Sequence, residues 1–340
     1  MQYLYTLTST INDFYYEQFL LSITSLWLIM PNAEITAVCD SKTKENLVNK
    51  RTGYEKLITN MIISDAPETM SQIEISRWNK TSMRRLVQGD FLFIDCDTII
   101  TDDLSPITEH SNNIGACLDK HLLIENHNKS NLLKKTDKYL GFNSYISNHH
   151  YNSGVIYCTD TPETHRIFNR WHELWLYSKS KGIKRDQPAF NMALYENQSY
   201  FTELEGTWNC QIAYNGLPYL ANSKIIHYFA SDMSFNKNPF QFASESIFEQ
   251  IRNTGIIPDE ILQMLKKPRT AFDPESQIIT GKDILYVTNS DLFQFTYLLR
   301  KKIPFLFEFF NKVCTIMKNI VKFLIIRTGK KKKSGVKFYN

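Results

Sequence analysis

The sequence predicts an α/β fold built on a mostly parallel central sheet with helices on both faces. Three observations predict it. Over the first hundred of 340 residues, apolar strand-like runs alternate with segments of helical periodicity. The composition, 43% apolar and 22% charged, is that of a globular chain able to bury a sizeable core. One apolar run, FLFIDCDTII, carries Asp95 and Asp97 near its carboxyl end, where the ligands of such sheets bind.

In order, YLYTLTS predicts a first strand, and DFYYEQFLLSITSLWLIM a helix stopped by Pro31. EITAVCD is a second strand, TKENLVNK a helix and NMIISDA a third strand. Residues 71–88 read as helix, and FLFIDCDTII as the fourth strand. The polar stretch 120–150, rich in Asn, Lys and His, predicts a mobile loop or lid. YNSGVIYC resumes strand character. A helix follows with Thr161 as N-cap, Pro162 in its first turn and Gly182 past its end. Ile167, Phe168, Trp171, Leu174 and Trp175 have the spacing of its buried face. RDQPAFNMALYEN opens another helix, and KIIHYFA is a short strand. Residues 241–290 read as small helices with Pro and Gly breaks. The expected organisation is a catalytic domain over 1–240, a helical extension over 241–294 and a basic tail over 295–340.

The net charge of +4 conceals an asymmetry: from Arg300 onward 12 Lys and Arg face a single acid, Glu308, while the remainder carries 27 bases against 34 acids. An anionic partner is therefore expected for the tail alone. On a helix, Glu308, Asn311, Lys312, Thr315, Lys318, Asn319 and Lys322 fall on one narrow face with apolar residues around the rest. Three lysines make this segment costly as a bilayer crossing, whereas an interfacial helix needs such a two-faced pattern. The GKKKK that follows adds attraction to anionic headgroups. A nucleic-acid partner is not expected, because no recognition module is visible. The opening MQYLYTLTST lacks a basic segment followed by an apolar one, so no signal peptide is expected. Six scattered cysteines without metal-ligand spacing fit buried thiols in a reducing cytosol, which leaves the sequons at Asn79, Asn128 and Asn197 without a role.

A carboxylate inside an apolar strand requires a partner: a metal ion, a phosphorylated substrate or a basic side chain. Acids two apart at a strand end project to one side and can share a hard cation such as Mg²⁺ or Mn²⁺. From spacing alone, that site and an internal salt bridge are equally open.

FLFIDCDTII, YNSGVIYC, RDQPAFN and KIIHYF, in this order, resemble the motifs of nucleotide-sugar glycosyltransferases of the GT-A fold, and most of all glycosyltransferase family 8. The resemblance covers residues 1–240. It implies metal-dependent transfer of a hexose from a UDP-sugar, UDP-Gal or UDP-Glc, with retention of configuration. The acceptor would be a glycan or lipid-linked sugar of a bacterial surface polysaccharide or lipopolysaccharide. The enzyme would act in the cytoplasm, held at the inner face of the plasma membrane by its tail. By the same resemblance Asp95, Asp97 and His227 are the metal ligands, Mn²⁺ or Mg²⁺ the ion, and Asp95 also meets the diphosphate. Asp186 and Gln187 take the catalytic positions. Asn152, Ser153 and Gly154 match a turn before a strand that approaches the sugar; Arg77 and Lys80 are donor-contacting bases, and Thr8 is placed to touch the nucleobase. Arg84 and Arg85 are expected on a solvated basic face.

Three departures stand out. His227 is followed by YFASDMSFNKNPF rather than the family's Gly and Lys-Pro-Trp run, so Lys237 stands only loosely for the phosphate-binding lysine. Pro188 replaces an acid, and the first strand ends without the family's acidic uracil contact. A haloacid-dehalogenase-like phosphohydrolase and a non-catalytic nucleotide-sugar-binding scaffold are the alternatives. The first normally places Thr or Val four residues after its nucleophilic Asp, where this chain has Ile99.

Overall fold

A computed structural model describes residues 1–110, 113–127, 129–229, 240–272 and 290–327. The chain divides into two compact units, Met1–Gln277 and Ile278–Asn340. In the first, strands β1 (Gln2–Leu7), β2 (Ile35–Cys39), β3 (Asn60–Ile63) and β4 (Phe91–Ile94) form the parallel half of a seven-stranded sheet. The short strand β5 (Thr98–Ile100) leaves that sheet; β6 (Ile114–Leu118), β7 (Tyr151–Cys158) and β8 (Phe201–Glu203) complete it in the order β3-β2-β1-β4-β7-β6-β8. Here β7 runs antiparallel to both β4 and β6. A second sheet joins β5 to β10 (Ile225–His227) and β9 (Cys210–Gln211) in the order β5-β10-β9. The α/β, parallel-rich architecture expected from the sequence is present.

The helices of this unit are α1 (Tyr15–Ile29), α2 (Ser41–Asn46), α3 (Gln72–Leu86), α4 (Ile107–His110), α5 (Ser130–Leu140), α6 (Pro162–Ser180), α7 (Gln187–Tyr195), α8 (Glu245–Thr254) and α9 (Asp259–Leu265). Strand alternation divides the core in two. Tyr5, Leu7, Leu92, Ile94, Val155 and Tyr157 face one side with Phe19 and Ile23 of α1. Leu4, Phe91, Phe93, Ile156 and Cys158 face the other with Met83 of α3 and Phe168, Trp171 and Trp175 of α6. α6 starts as expected, with the Thr161 hydroxyl accepting from Thr164 N–H and Pro162 in the first turn, and Gly182 takes φ +83° beyond its end.

Three expectations are corrected. The run 91–100 is two strands, not one, because the chain leaves the main sheet at the acids. Asp95 N–H donates to Gly154 O at 2.8 Å, Tyr228 N–H to Asp97 O at 3.1 Å, and Thr98 Oγ1 to Asp95 O at 2.8 Å. These bonds carry the segment from the central sheet into the small one. The stretch 120–150 is not a bare loop: it holds α5, whose C-terminal Gly141 takes φ +71° and whose Asp137 accepts from Ser144 Oγ at 2.6 Å. Arg84 is buried rather than solvated. It stacks 4.7 Å over Phe91, donates to Gly89 O at 2.9 Å and pairs with Asp160 at 3.4 Å, while Arg85 is exposed.

α8 and α9 pack within this unit against its core: Phe14 and Phe248 lie 5.6 Å apart, and Arg252 approaches Glu17 at 3.5 Å. Glu17 is itself buried and held by Arg51 at 3.0 Å, a paired charge of the kind an interior tolerates. In the second unit, α10 (Asp291–Lys302) and α11 (Pro304–Arg327) are helical, and Ser290 Oγ caps α10 by accepting from Phe293 N–H. Phe305, Phe309, Ile316, Met317 and Ile320 of α11 are exposed. Among the described residues no helix is long and apolar enough to cross a membrane. GKKKK, Lys237 and residues 273–289 lie outside the described residues.

Candidate active site

β1 and β4 run parallel and end at the same edge of the sheet, so Thr8 and Asp95 emerge side by side into a cavity of about 670 Å³. Its lining includes Thr8, Arg77, Lys80, Asp95, Asp97, Asn152, Ser153, Gly154, Asp186, Gln187 and His227. Of the expected site residues, only Lys237 cannot be placed. The bend at the acids aims Asp95 and Asp97 inward, and β10, paired with β5, brings His227 opposite Thr98. One ligand atom from each of Asp95, Asp97 and His227 falls within 4.8 Å of the others. His227 Nε2 stands 3.2 Å from Asp97 Oδ1, and its ring lies flat on Phe229 with centroids 3.9 Å apart.

Asp95 is gripped by Lys80, whose Nζ donates to Oδ1 and Oδ2, each at 3.0 Å. Burial raises the Asp95 carboxyl and the neighbouring Asp97 adds to it, with Lys80 opposing. At Asp97 burial also acts upward, but the charge and hydrogen bond of His227 outweigh it and the carboxyl sits below its ordinary value. Two carboxylates and an imidazole are a donor set suited to a divalent first-row ion. The residues fit such an ion.

Asn152, Ser153 and Gly154 lie inside β7 rather than in a turn before it. A Cβ on Gly154 would meet His227 Cε1 at 2.4 Å and Asp95 Oδ2 at 2.9 Å, so glycine here makes room for these two side chains. Ser153 Oγ donates to Asp186 Oδ2 at 3.1 Å, and Arg77 Nε pairs with Asp186 Oδ1 at 3.0 Å. Burial raises the Asp186 carboxyl, but Arg77 and then Lys80 overcome this and hold it below the usual carboxylate range. Gln187 follows as the first residue of α7, half-buried at the cavity wall. Thr8 Oγ1 accepts from Asn79 Nδ2 at 3.3 Å.

The sequence reading missed Phe229 and Asp119. Phe229 takes φ +52°, a left-handed conformation that costs a non-glycine residue roughly 1–2 kcal/mol, and so lays its ring on His227. Its position two residues after a candidate ligand, where the family has a different run, was the available signal. Asp119 lines the cavity, held well below the carboxylate range despite burial by a hydrogen bond from His127 and by its neighbours His150 and Asn152. No local motif marks it.

The sheet order, the paired acids at its carboxyl edge and the opposing histidine define a nucleotide-sugar glycosyltransferase of the GT-A type. The sequence matches the family described as Glycosyl transferase family 8 over residues 15–232. The chain belongs to that family. The hexosyltransferase class expected from the sequence is the class this membership supports, with a nucleotide sugar as donor. No curated protein sequence matches the chain significantly. Among solved structures it is similar to the bifunctional glycosyltransferase WbbM, at 16% identity and a TM-score of 0.50 over 77% of this chain and 51% of that one. The galactosyltransferase LgtC, in complex with donor and acceptor sugar analogs, matches at 16% identity and a TM-score of 0.47, covering 77% of this chain and 99% of that one. Mouse xyloside xylosyltransferase 1 matches at 14% identity and 0.46, covering 66% and 96%. At these identities the likeness concerns the fold.

Proposed function

We propose that this glycosyltransferase moves a hexose from UDP-galactose or UDP-glucose, with retention, to a glycan or lipid-linked acceptor in bacterial surface polysaccharide or lipopolysaccharide synthesis. The observation that carries the reading is the convergence of Asp95, Asp97 and His227 within 4.8 Å at the carboxyl edge of the sheet. These three would hold Mn²⁺ or Mg²⁺, which when bound neutralises charge on the leaving diphosphate. Lys80 and Arg77 add cations on the same side of the cavity, close to Asp95 and Asp186. Asp186, kept ionised, accepts hydrogen bonds from donor-sugar hydroxyls and fixes the ring. Gln187 sets its amide near the anomeric carbon. Because an amide is a poor nucleophile, the acceptor hydroxyl attacks from the face the diphosphate leaves, and its proton passes to the departing diphosphate. Thr8, Asn152, Ser153 and Gly154 shape the donor pocket, and Lys237 is assigned to the phosphates by sequence alone.

The tail supports a second part of the proposal. Exposed Phe305, Ile316 and Ile320 on α11 and the excess of lysine and arginine from Arg300 onward suit a helix lying in an anionic membrane surface. The enzyme would then work as a peripheral protein on the inner face of the plasma membrane.

A panel of UDP- and GDP-sugars with Mn²⁺, scored for free nucleotide, tests the activity. Release from UDP-galactose or UDP-glucose that stops in EDTA is expected. Binding of UDP without turnover would instead support a non-catalytic scaffold, and phosphate release from simple esters without a sugar acceptor would support a phosphohydrolase.

A further inference from the structure

His227 ends a row of buried polar side chains drawn from four separate parts of the chain. Its Nδ1 lies 3.0 Å from Asn209 Oδ1; Asn209 Nδ2 donates to Asn152 Oδ1 at 3.0 Å, and Asn152 Nδ2 donates to Asp119 Oδ1 at 3.0 Å. His127 Nε2 closes the row on Asp119 Oδ2 at 3.2 Å. All five residues are buried, and Asn209 is wholly inaccessible.

The direction of every bond in this row is forced. Asn152 Oδ1 also accepts the backbone N–H of Gly154 at 2.9 Å. An amide NH₂ cannot accept, so the carbonyl end of Asn152 must face Gly154, and its NH₂ end must face the Asp119 carboxylate, which only accepts. Asn209 therefore turns its NH₂ to Asn152 and its carbonyl to His227. That carbonyl requires a donor, so the proton of His227 is on Nδ1. That leaves Nε2 as the nitrogen turned to the candidate ion site, 3.2 Å from Asp97 Oδ1.

We propose that Asn209 is a positioning residue that holds His227 as its Nδ1–H tautomer, with Nε2 presented to the divalent ion. Asn152, anchored on Asp119, fixes Asn209 in turn. The inference rests on reading Asp95, Asp97 and His227 as the metal site. Without the Asn209 carbonyl, nothing at Nδ1 fixes the orientation of the imidazole or which nitrogen is turned to the ion. Partners of this kind are worth about 10–100-fold in metal affinity.

The test uses the full chain with UDP present and follows free Mn²⁺ by electron paramagnetic resonance. Asn209→Leu keeps the branching at Cγ and removes the acceptor, and is expected to weaken Mn²⁺ binding about 10–100-fold. Asn209→Asp restores an oxygen towards Nδ1 and is expected to bind Mn²⁺ far more tightly than the leucine variant. Wild-type affinity in Asn209→Leu overturns the proposal, as does equal weakening in both variants, which would mean that the residue acts by packing alone. ¹⁵N-histidine spectra of the metal-free wild-type chain read Nδ1 without any substitution: a proton on Nδ1 of His227 is expected, and a bare Nδ1 overturns the proposal even if both variants misfold. A wild-type chain that binds no Mn²⁺ while its His227 is the Nδ1–H tautomer overturns the metal reading, and with it the role given to Asn209.

Discussion

Replacing Gly154 with alanine adds one carbon at the centre of the site. The new Cβ would stand 2.4 Å from His227 Cε1, 2.8 Å from Asn152 Oδ1 and 2.9 Å from Asp95 Oδ2. The nearest of these falls about 1 Å short of ordinary contact, so side chains must move. None can move freely: His227 is bound to Asn209 and stacked on Phe229, Asn152 is tied to Asp119, and Asp95 is held by Lys80. Gly154 is not among the positive-φ glycines, so the backbone itself accepts alanine. Overpacking of this kind costs about 1–3 kcal/mol. If the strain is relieved by displacing His227 and Asp95, it emerges as a loss of roughly 5- to 150-fold in Mn²⁺ affinity at about 1.4 kcal/mol per tenfold. Mn²⁺ titration and UDP-hexose hydrolysis report the site, and urea unfolding reports the fold. The expected result is a large loss of metal affinity with a cooperative unfolding transition retained. An alanine variant that binds Mn²⁺ as tightly as wild type would refute the reasoning.

Three further predictions concern charge. Lys80→Ala frees Asp95 and should strengthen Mn²⁺ binding in the absence of donor, yet raise the donor KM by about 10–100-fold through loss of a charged hydrogen bond; weaker Mn²⁺ binding without donor would contradict it. Burial lowers His121, His150 and His172 to about 4, below the ordinary histidine value of 6.5. The unfolded chain therefore takes up more protons between about pH 6.5 and 4, and stability should fall through that window by up to about 1.4 kcal/mol per pH unit for each histidine. Urea midpoints that rise as pH falls from 7 to 5 would contradict this. Cutting the chain before Arg300 removes 12 of its 39 basic residues and one acid, and should abolish salt-sensitive binding to vesicles containing phosphatidylglycerol while sparing donor hydrolysis. Equal vesicle binding by the truncated chain would end the membrane assignment.

Most of the sheet was legible because its strands are apolar on both faces and its helices carry their own signals. Thr161, Pro162 and Gly182 mark α6 within a few residues. The break at the acids was not legible, since FLFI and TII form one apolar run in sequence. What divides them is Gly154 and Tyr228, each more than fifty residues away, and no local pattern reports such bonds. α5 looked like loop because only Leu140 and Asp137 are buried, leaving a polar exterior. Arg84 looked like surface because an arginine is rarely buried without partners, and its partners are carbonyls and Asp160. In the site, Asp95, Asp97, Asp186 and His227 were named from motifs that lie in continuous segments. Asn209 and Asp119 carry no motif; their roles come from hydrogen bonds between distant segments.

A crystal grown with Mn²⁺ and UDP, its anomalous scattering measured at the manganese edge, tests the central claim most directly. The account predicts one peak among the Asp95 and Asp97 carboxylates and Nε2 of His227, with the diphosphate of UDP against it. UDP in the cavity with no peak there, and Lys80 still closed on Asp95, would contradict it.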